Sequence, residues 1–159
     1  MTPEEKRLQV IDACMAQQQH IADIAKQEMD SAQQQSNDYG ANVDRYDSYR
    51  TKMMRSRDMY AKQYSNALEA LRRLEELRRL KPFSTATHGA IVITDKQRFF
   101  LSIGAGKFMV PFQPASARQA QIPYFAVSAQ TPIYLALNGK QIGDSFTVNG
   151  LTQTITEIY

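Results

Sequence analysis

The chain has 159 residues, enough for one compact domain or two small ones, and its charged and apolar fractions are those of an ordinary globular protein. No stretch approaches the roughly 20 consecutive apolar residues that a membrane span needs, and the N-terminus lacks the apolar core of a signal peptide, so we expect a cytoplasmic protein with no membrane partner. The single cysteine, Cys14, excludes an internal disulfide and a thiolate-rich zinc site, and we expect it to be a small apolar residue on a helix.

The net charge of +3 is distributed unevenly along the chain. Residues 1–50 hold nine acidic and five basic side chains, whereas residues 51–81 hold nine basic and four acidic ones. The total is too small to indicate nucleic-acid binding by itself. The distribution instead predicts an acidic arm followed by a basic one.

The first arm is predicted to be a long helix. Thr2 suits the N-cap, Pro3 the first helical position, and Glu5 completes a capping box. Inward-facing residues then recur at alternating spacings of three and four, which is the seam of a coiled coil. The predicted seam consists of Leu8, Ile11, Met15, Gln18, Ala22, Ala25, Met29 and Ala32.

The helical pattern stops at residues 36–42, where Asn, Asp and Gly favour a turn. A second helix follows, predicted to be capped by Asn42 or Asp44. Its predicted inward stripe is Tyr46, Tyr49, Met53, Tyr60, Tyr64, Ala67, Leu71, Leu74 and Leu77. Two helices of about 35 residues joined by a short turn must run antiparallel, as a rod on the order of 50 Å long with its tip near residues 36–46.

The composition changes abruptly near Lys81–Pro82. One glycine and one proline precede this point, and six glycines and five prolines follow it. The change predicts a boundary between a helical hairpin at residues 1–81 and a C-terminal domain at residues 82–159. In the second part, short β-rich runs alternate with turn signals such as Asn149–Gly150, and Pro132 to Gly139 predicts one short helix. The predicted fold class is therefore α+β, an antiparallel helical hairpin followed by a small sheet with one helix.

Three carboxylates, Asp38, Asp44 and Asp47, are clustered at the predicted tip of the hairpin. One interpretation is structural, because aspartates favour helix starts, where they cap free N–H groups. The other is chemical, because carboxylates at the end of a rod can supply oxygen ligands to Mg²⁺ inside the cavity of another macromolecule. The spacing alone leaves both interpretations open.

The segment Ala129 to Gly150 closely resembles the C-terminal signature of the GreA/GreB family of transcript-cleavage factors. The resemblance rests on Thr131-Pro132-Ile133, then Ala136-Leu137, Gly139-Lys140 and Gly143-Asp144 ahead of a strand, in the order and spacing of that family. Thr154-Ile155-Thr156-Glu157-Ile158 looks like the family's closing strand. Together these motifs cover roughly 30 residues.

The resemblance implies an FKBP-like C-terminal domain and a hairpin that enters the secondary channel of bacterial RNA polymerase. It implies an accessory factor and not an enzyme in its own right, with no cofactor or metal of its own and no small-molecule substrate. The tip carboxylates Asp38, Asp44 and Asp47 would share Mg²⁺ with the polymerase active centre, so that the polymerase hydrolyses its own backtracked RNA. Contact with the nascent RNA would be indirect, and Thr131, Pro132 and Ile133 would face the polymerase, although the same three residues also suit a helix start.

The tip departs from the family pattern. If Tyr46 takes the place of the family's tyrosine, Asn42 and Tyr39 stand where the family has acidic residues. This departure keeps two alternatives open: a polymerase-binding regulator that does not promote cleavage, and a coiled-coil adaptor with an FKBP-like module.

Overall fold

The computed structural model describes residues 2–38, 47–111 and 121–159. Two long helices, α1 (Pro3–Asp38) and α2 (Asp47–Arg78), precede the strands and a short third helix. The remaining elements are β1 (Ile91–Thr94), β2 (Arg98–Leu101), β3 (Gly106–Pro111), β4 (Gln121–Val127), α3 (Pro132–Leu137), β5 (Ser145–Val148) and β6 (Leu151–Ile158). The predicted α+β class is thus confirmed. None of the helices in the described ranges is long and apolar enough to cross a membrane.

The chain forms two compact units. The hairpin unit is Gln17–Arg72, and the sheet unit combines Met1–Ala16 with Arg73–Tyr159. The sheet unit therefore contains the start of α1 and the end of α2. The predicted division into residues 1–81 and 82–159 stays a prediction.

The start of α1 is the predicted capping box. The hydroxyl of Thr2 accepts a hydrogen bond from the backbone N–H of Glu5 at 3.2 Å, and the Thr2 backbone N donates to the Glu5 carboxylate at 3.0 Å. These two bonds satisfy backbone donors that have no partner inside the helix.

In the hairpin unit, two hydrogen bonds join the helices and fix their direction. Arg57 donates to the side-chain oxygen of Gln33 at 2.7 Å, and the Tyr49 hydroxyl donates to that of Gln35 at 3.4 Å. Moving along α2 from Tyr49 to Arg57, the partner on α1 moves backwards from Gln35 to Gln33. The two helices therefore run antiparallel, as predicted.

The seam of the hairpin unit buries small and polar residues of α1. Gln18, Ala22, Ala25, Ala32 and Ser36 are buried there, and Ala67 is the buried apolar residue that the described part of α2 within this unit contributes. Tyr49, Met53, Tyr60 and Tyr64 are half-buried on the predicted stripe of α2. Because burial of an alanine removes little apolar area from water, this seam contributes less stability than a leucine zipper of equal length.

The six strands form one mixed sheet with the order β3-β4-β2-β1-β6-β5. The β2–β4 pair is parallel, with Phe99 opposite Phe125, and the other pairs are antiparallel. Asn149 and Gly150 connect β5 to β6 with φ of 54° and 76°, the left-handed conformation at both positions that a two-residue hairpin turn requires. This predicted turn is confirmed.

Each face of the sheet has its own apolar core. One face packs Ile91, Phe100 and Phe108 against Ile11 and Leu74, so the start of α1 and the end of α2 cover it. The other face packs Val92, Phe99, Phe146 and Ile155 against Tyr134 and Leu137 of α3. The sequence predicted a helix over one face only, whereas the structure covers both faces.

Arg7 is fully buried in the sheet unit. Its guanidinium donates to the backbone carbonyls of Leu77 at 2.7 Å, of Leu80 at 3.3 Å, and of Gly89, and it lies 5.1 Å from the ring centroid of Phe83. Leu77 belongs to the last turn of α2, and its carbonyl accepts from both the Arg7 guanidinium and the Leu80 backbone N–H, the latter at 3.1 Å. The cation therefore adds a donor at that helix end and interacts favourably with its negative dipole. Arg7 and Cys14 take the inward positions that the predicted seam gave to Leu8 and Met15, both of which are half-buried.

Candidate functional site

Two of the three predicted tip carboxylates belong to residues at the ends of the long helices. Asp38 is the last residue of α1, and Asp47 is the first residue of α2. Asp44 and the side chain of Asp47 lie outside the described residues. The grouping of the three carboxylates therefore stays a prediction.

Asp38 is exposed and accepts a hydrogen bond from the side-chain amide of Gln34 at 2.8 Å. A carboxylate in the last turn of a helix meets the negative end of the helix dipole, which costs on the order of 0.3–1 kcal/mol. The structural interpretation of the tip acids is that they cap helix starts. This interpretation does not explain why an aspartate occupies position 38, because Asp38 lies at the end of α1.

Thr131, Pro132 and Ile133 form the start of α3. The Thr131 hydroxyl accepts from the backbone N–H of Tyr134 at 3.3 Å and donates to the carbonyl of Ser128 at 2.8 Å. Pro132 is exposed at the first turn of α3, and Ile133 packs against the core on that face of the sheet. The helix-start role is thus confirmed, and of the three residues Pro132 is the one with the most surface open to a partner.

Two exposed apolar side chains lie within α3 and in the loop that follows it, and no sequence motif had marked them. Leu135 of α3 is 66% exposed, and Ile142, in the loop between α3 and β5, is 58% exposed. Helical spacing offered a signal for Leu135, because Tyr134 and Leu137 define the buried side of α3 and Leu135 falls off that side.

The sheet unit also contains a cavity of about 220 Å³ that no sequence motif indicated. Its apolar wall is formed by Val10, Ile93, Val110, Pro111 and Ile122, and its polar lining by Lys6, Gln9, Arg98, Tyr124, Glu157 and Tyr159. These residues come from α1, five strands and the residue after β6. No local pattern brings them together, so only the tertiary structure reveals the cavity.

Two buried tyrosines contribute polar groups to the cavity lining. Burial raises the pKa of the Tyr159 hydroxyl, and the electrostatic influence of the neighbouring Tyr124 raises that pKa further. A tyrosine hydroxyl can both donate and accept hydrogen bonds, so Tyr124 and Tyr159 add polar groups to a largely apolar lining.

The charged lining residues are not balanced. Lys6 and Glu157 form a loose ion pair at 3.8 Å, and the Lys6 ammonium lies 5.9 Å from the ring centroid of Tyr159. The Arg98 guanidinium lies 6.0 Å from the ring centroid of Tyr124, and no carboxylate in the described ranges pairs with it. The three charged side chains leave an excess of one positive charge.

Cys14 is buried in the sheet unit, and burial raises the pKa of its thiol from 9.0 to about 12. We expect native protein at pH 8 to react with a disulfide reagent at least ~10³-fold more slowly than unfolded protein, because the thiolate is the reactive species. The labelling rate with and without denaturant measures this ratio. Similar rates in both states would contradict the buried placement of Cys14.

Comparisons of this chain with protein-family models, with curated proteins and with solved structures found no match.

Proposed function

We propose that the protein is a bacterial RNA polymerase secondary-channel factor that promotes cleavage of backtracked RNA. The observation that carries the proposal is the block from Ala129 to Gly150, with its Thr131-Pro132-Ile133 and Gly143-Asp144 motifs. The antiparallel helical hairpin and the α+β sheet unit, both of which that family has, support it. An FKBP-like assignment for the sheet unit and a cytoplasmic location are parts of the same proposal.

In this proposal the acidic tip supplies charge and geometry to the polymerase. Carboxylate oxygens are suitable ligands for Mg²⁺, so Asp44 and Asp47, with Asp38 beside them, would help to hold an Mg²⁺ that the polymerase binds. Asp38 interacts unfavourably with the negative end of the α1 dipole, so it does not stabilise that helix end. A role in binding a partner, rather than in stabilising the fold, is consistent with this position. The exposed Pro132 at the start of α3 would contact the polymerase surface.

RNA release from arrested complexes tests the cleavage proposal. Backtracked elongation complexes incubated with the protein and Mg²⁺ should release short 3′ RNA fragments. Replacing Asp44 and Asp47 together by Asn should lower the release rate by about 10- to 100-fold or more, the range seen when groups that orient a metal site are lost. Polymerase binding, measured by co-purification, should remain close to that of the parent protein.

The matched control is Asp30→Asn, which removes an exposed carboxylate of α1 away from its end. We expect this variant to release RNA at the parent rate. Release that is unchanged in the Asp44 and Asp47 double variant would contradict the role of the tip. Absence of polymerase in the co-purification would contradict the proposal as a whole and favour the adaptor alternative.

One observation favours a second candidate, a regulator that binds the polymerase without promoting cleavage. The Asp38 carboxylate already accepts a hydrogen bond from Gln34, so metal ligation would have to compete with that bond. Binding to polymerase together with no fragment release, and no restart of arrested complexes, would identify this second function.

A further inference from the structure

The cavity in the sheet unit has the size of a small organic ligand. An engineered apolar protein cavity of about 150 Å³ binds benzene. The cavity found here has about 220 Å³, which leaves room for one six-membered ring and one attached polar group. Its apolar wall, which includes Val10, Val110 and Ile122, provides the surface that a ring would contact.

Most polar groups in the cavity are hydrogen-bond donors, so the polar group of the ligand should be a hydrogen-bond acceptor. Arg98 contributes a planar group of N–H donors, Lys6 contributes an ammonium, and Tyr124 contributes a hydroxyl that can donate a hydrogen bond. Glu157 is the sole acidic side chain in the lining, and its carboxylate lies 3.8 Å from the Lys6 ammonium. The unpaired cation is therefore Arg98, whose geometry matches a carboxylate through two parallel hydrogen bonds.

We propose that this cavity binds a small monocarboxylate with an aromatic or compact apolar body. The carboxylate pairs with Arg98 and accepts from the Tyr124 hydroxyl, while the body of the ligand packs on the apolar wall. The single excess positive charge matches a monoanion and leaves the second charge of a phosphate monoester uncompensated. The proposal does not depend on polymerase binding.

Benzoate is the probe for this site, and benzamide is its neutral control of the same shape. In a titration followed by NMR of the full chain, benzoate should shift the signals of Val110, Ile122 and Tyr124 in a saturable way. Benzamide should bind about 10- to 100-fold more weakly, the loss expected when a charge-assisted hydrogen bond is removed. This comparison uses the parent protein and does not depend on whether a variant folds.

The Arg98→Met variant keeps an unbranched apolar stem and removes the guanidinium with its charge. We expect it to bind benzoate about 10- to 100-fold more weakly, with an unchanged circular dichroism spectrum, and Tyr124→Phe to bind several-fold more weakly. The matched control is Arg79→Met, an exposed arginine outside the cavity, which should bind like the parent.

Three results would overturn the assignment. The first is no saturable shift with benzoate up to about 10 mM, the weak limit for a ligand of this size. The second is equal affinity for benzoate and benzamide, because the charge would then play no part. The third is tighter binding of inorganic phosphate than of benzoate, which would assign the site to a different anion.

Discussion

Replacing Arg7 by Met is expected to lower the free energy of unfolding by about 2–4 kcal/mol. The change removes charge-assisted hydrogen bonds to three backbone carbonyls, each worth about 1.5–3 kcal/mol, and it leaves buried acceptors of the sheet unit without this donor. Relief of an unfavourable charge burial offsets part of the loss. Burial lowers the pKa of Arg7, because removing the guanidinium from water disfavours its charged form. The three hydrogen bonds offset this desolvation.

Chemical denaturation followed by circular dichroism measures the change. Arg79→Met is the matched control, because Arg79 lies on an exposed position close to the same end of α2, and a loss within about 0.5 kcal/mol is expected for it. Arg7→Lys should fall between the two, since an ammonium retains the charge but does not reproduce the fork that spans the three carbonyls. Equal stability of the Arg7→Met and Arg79→Met variants would contradict the role of Arg7 in joining α1 to the end of α2.

The Leu137→Ala variant is expected to lose about 2–5 kcal/mol of stability. Leu137 is 0% exposed and packs in the core between α3 and the sheet, so the change loses apolar burial and leaves a void that the neighbouring side chains fill only in part. Because α3 has six residues, it depends on this packing and not on its own helix propensity. If Pro132 contacts the polymerase, the same variant should also bind the polymerase more weakly.

The chain provides a control on the same helix. Leu135→Ala makes the identical chemical change two residues away, at a side chain that is 66% exposed. We expect its stability to stay within about 0.5 kcal/mol of the parent value. Weaker polymerase binding by Leu135→Ala at unchanged stability would place Leu135 itself in the interface, whereas equal destabilisation of both variants would contradict the observed orientation of α3.

Much of the local structure was readable from the sequence, because it depends on residues close together in the chain. The Thr2 and Glu5 capping box, the Asn149–Gly150 turn and the Thr131 cap all follow from side chains that satisfy or permit nearby backbone geometry. Periodicity correctly placed the half-buried tyrosines of α2. The tip carboxylates were likewise visible as a cluster, although the grouping of Asp38, Asp44 and Asp47 stays a prediction.

The interior of the sheet unit could not be read in this way. Periodicity favoured Leu8 over Arg7 as the inward residue, because a charged side chain is normally solvated. Burial of Arg7 depends on carbonyls contributed by Leu77, Leu80 and Gly89, all at least 70 residues away in sequence. The cavity around Arg98 and Tyr124 likewise joins one turn of α1 to several strands.

By itself, therefore, the sequence determined where α1 and α3 start, where the chain turns between β5 and β6, and which fold class results. The tertiary structure decided which side of α1 faces inward, that both faces of the sheet are covered, and that a cationic cavity forms beside Tyr159. The physical reason is the range of the interactions. Caps and turns are satisfied within a few residues, whereas the partner of a buried charge and the walls of a cavity come from distant segments that only the complete fold brings together.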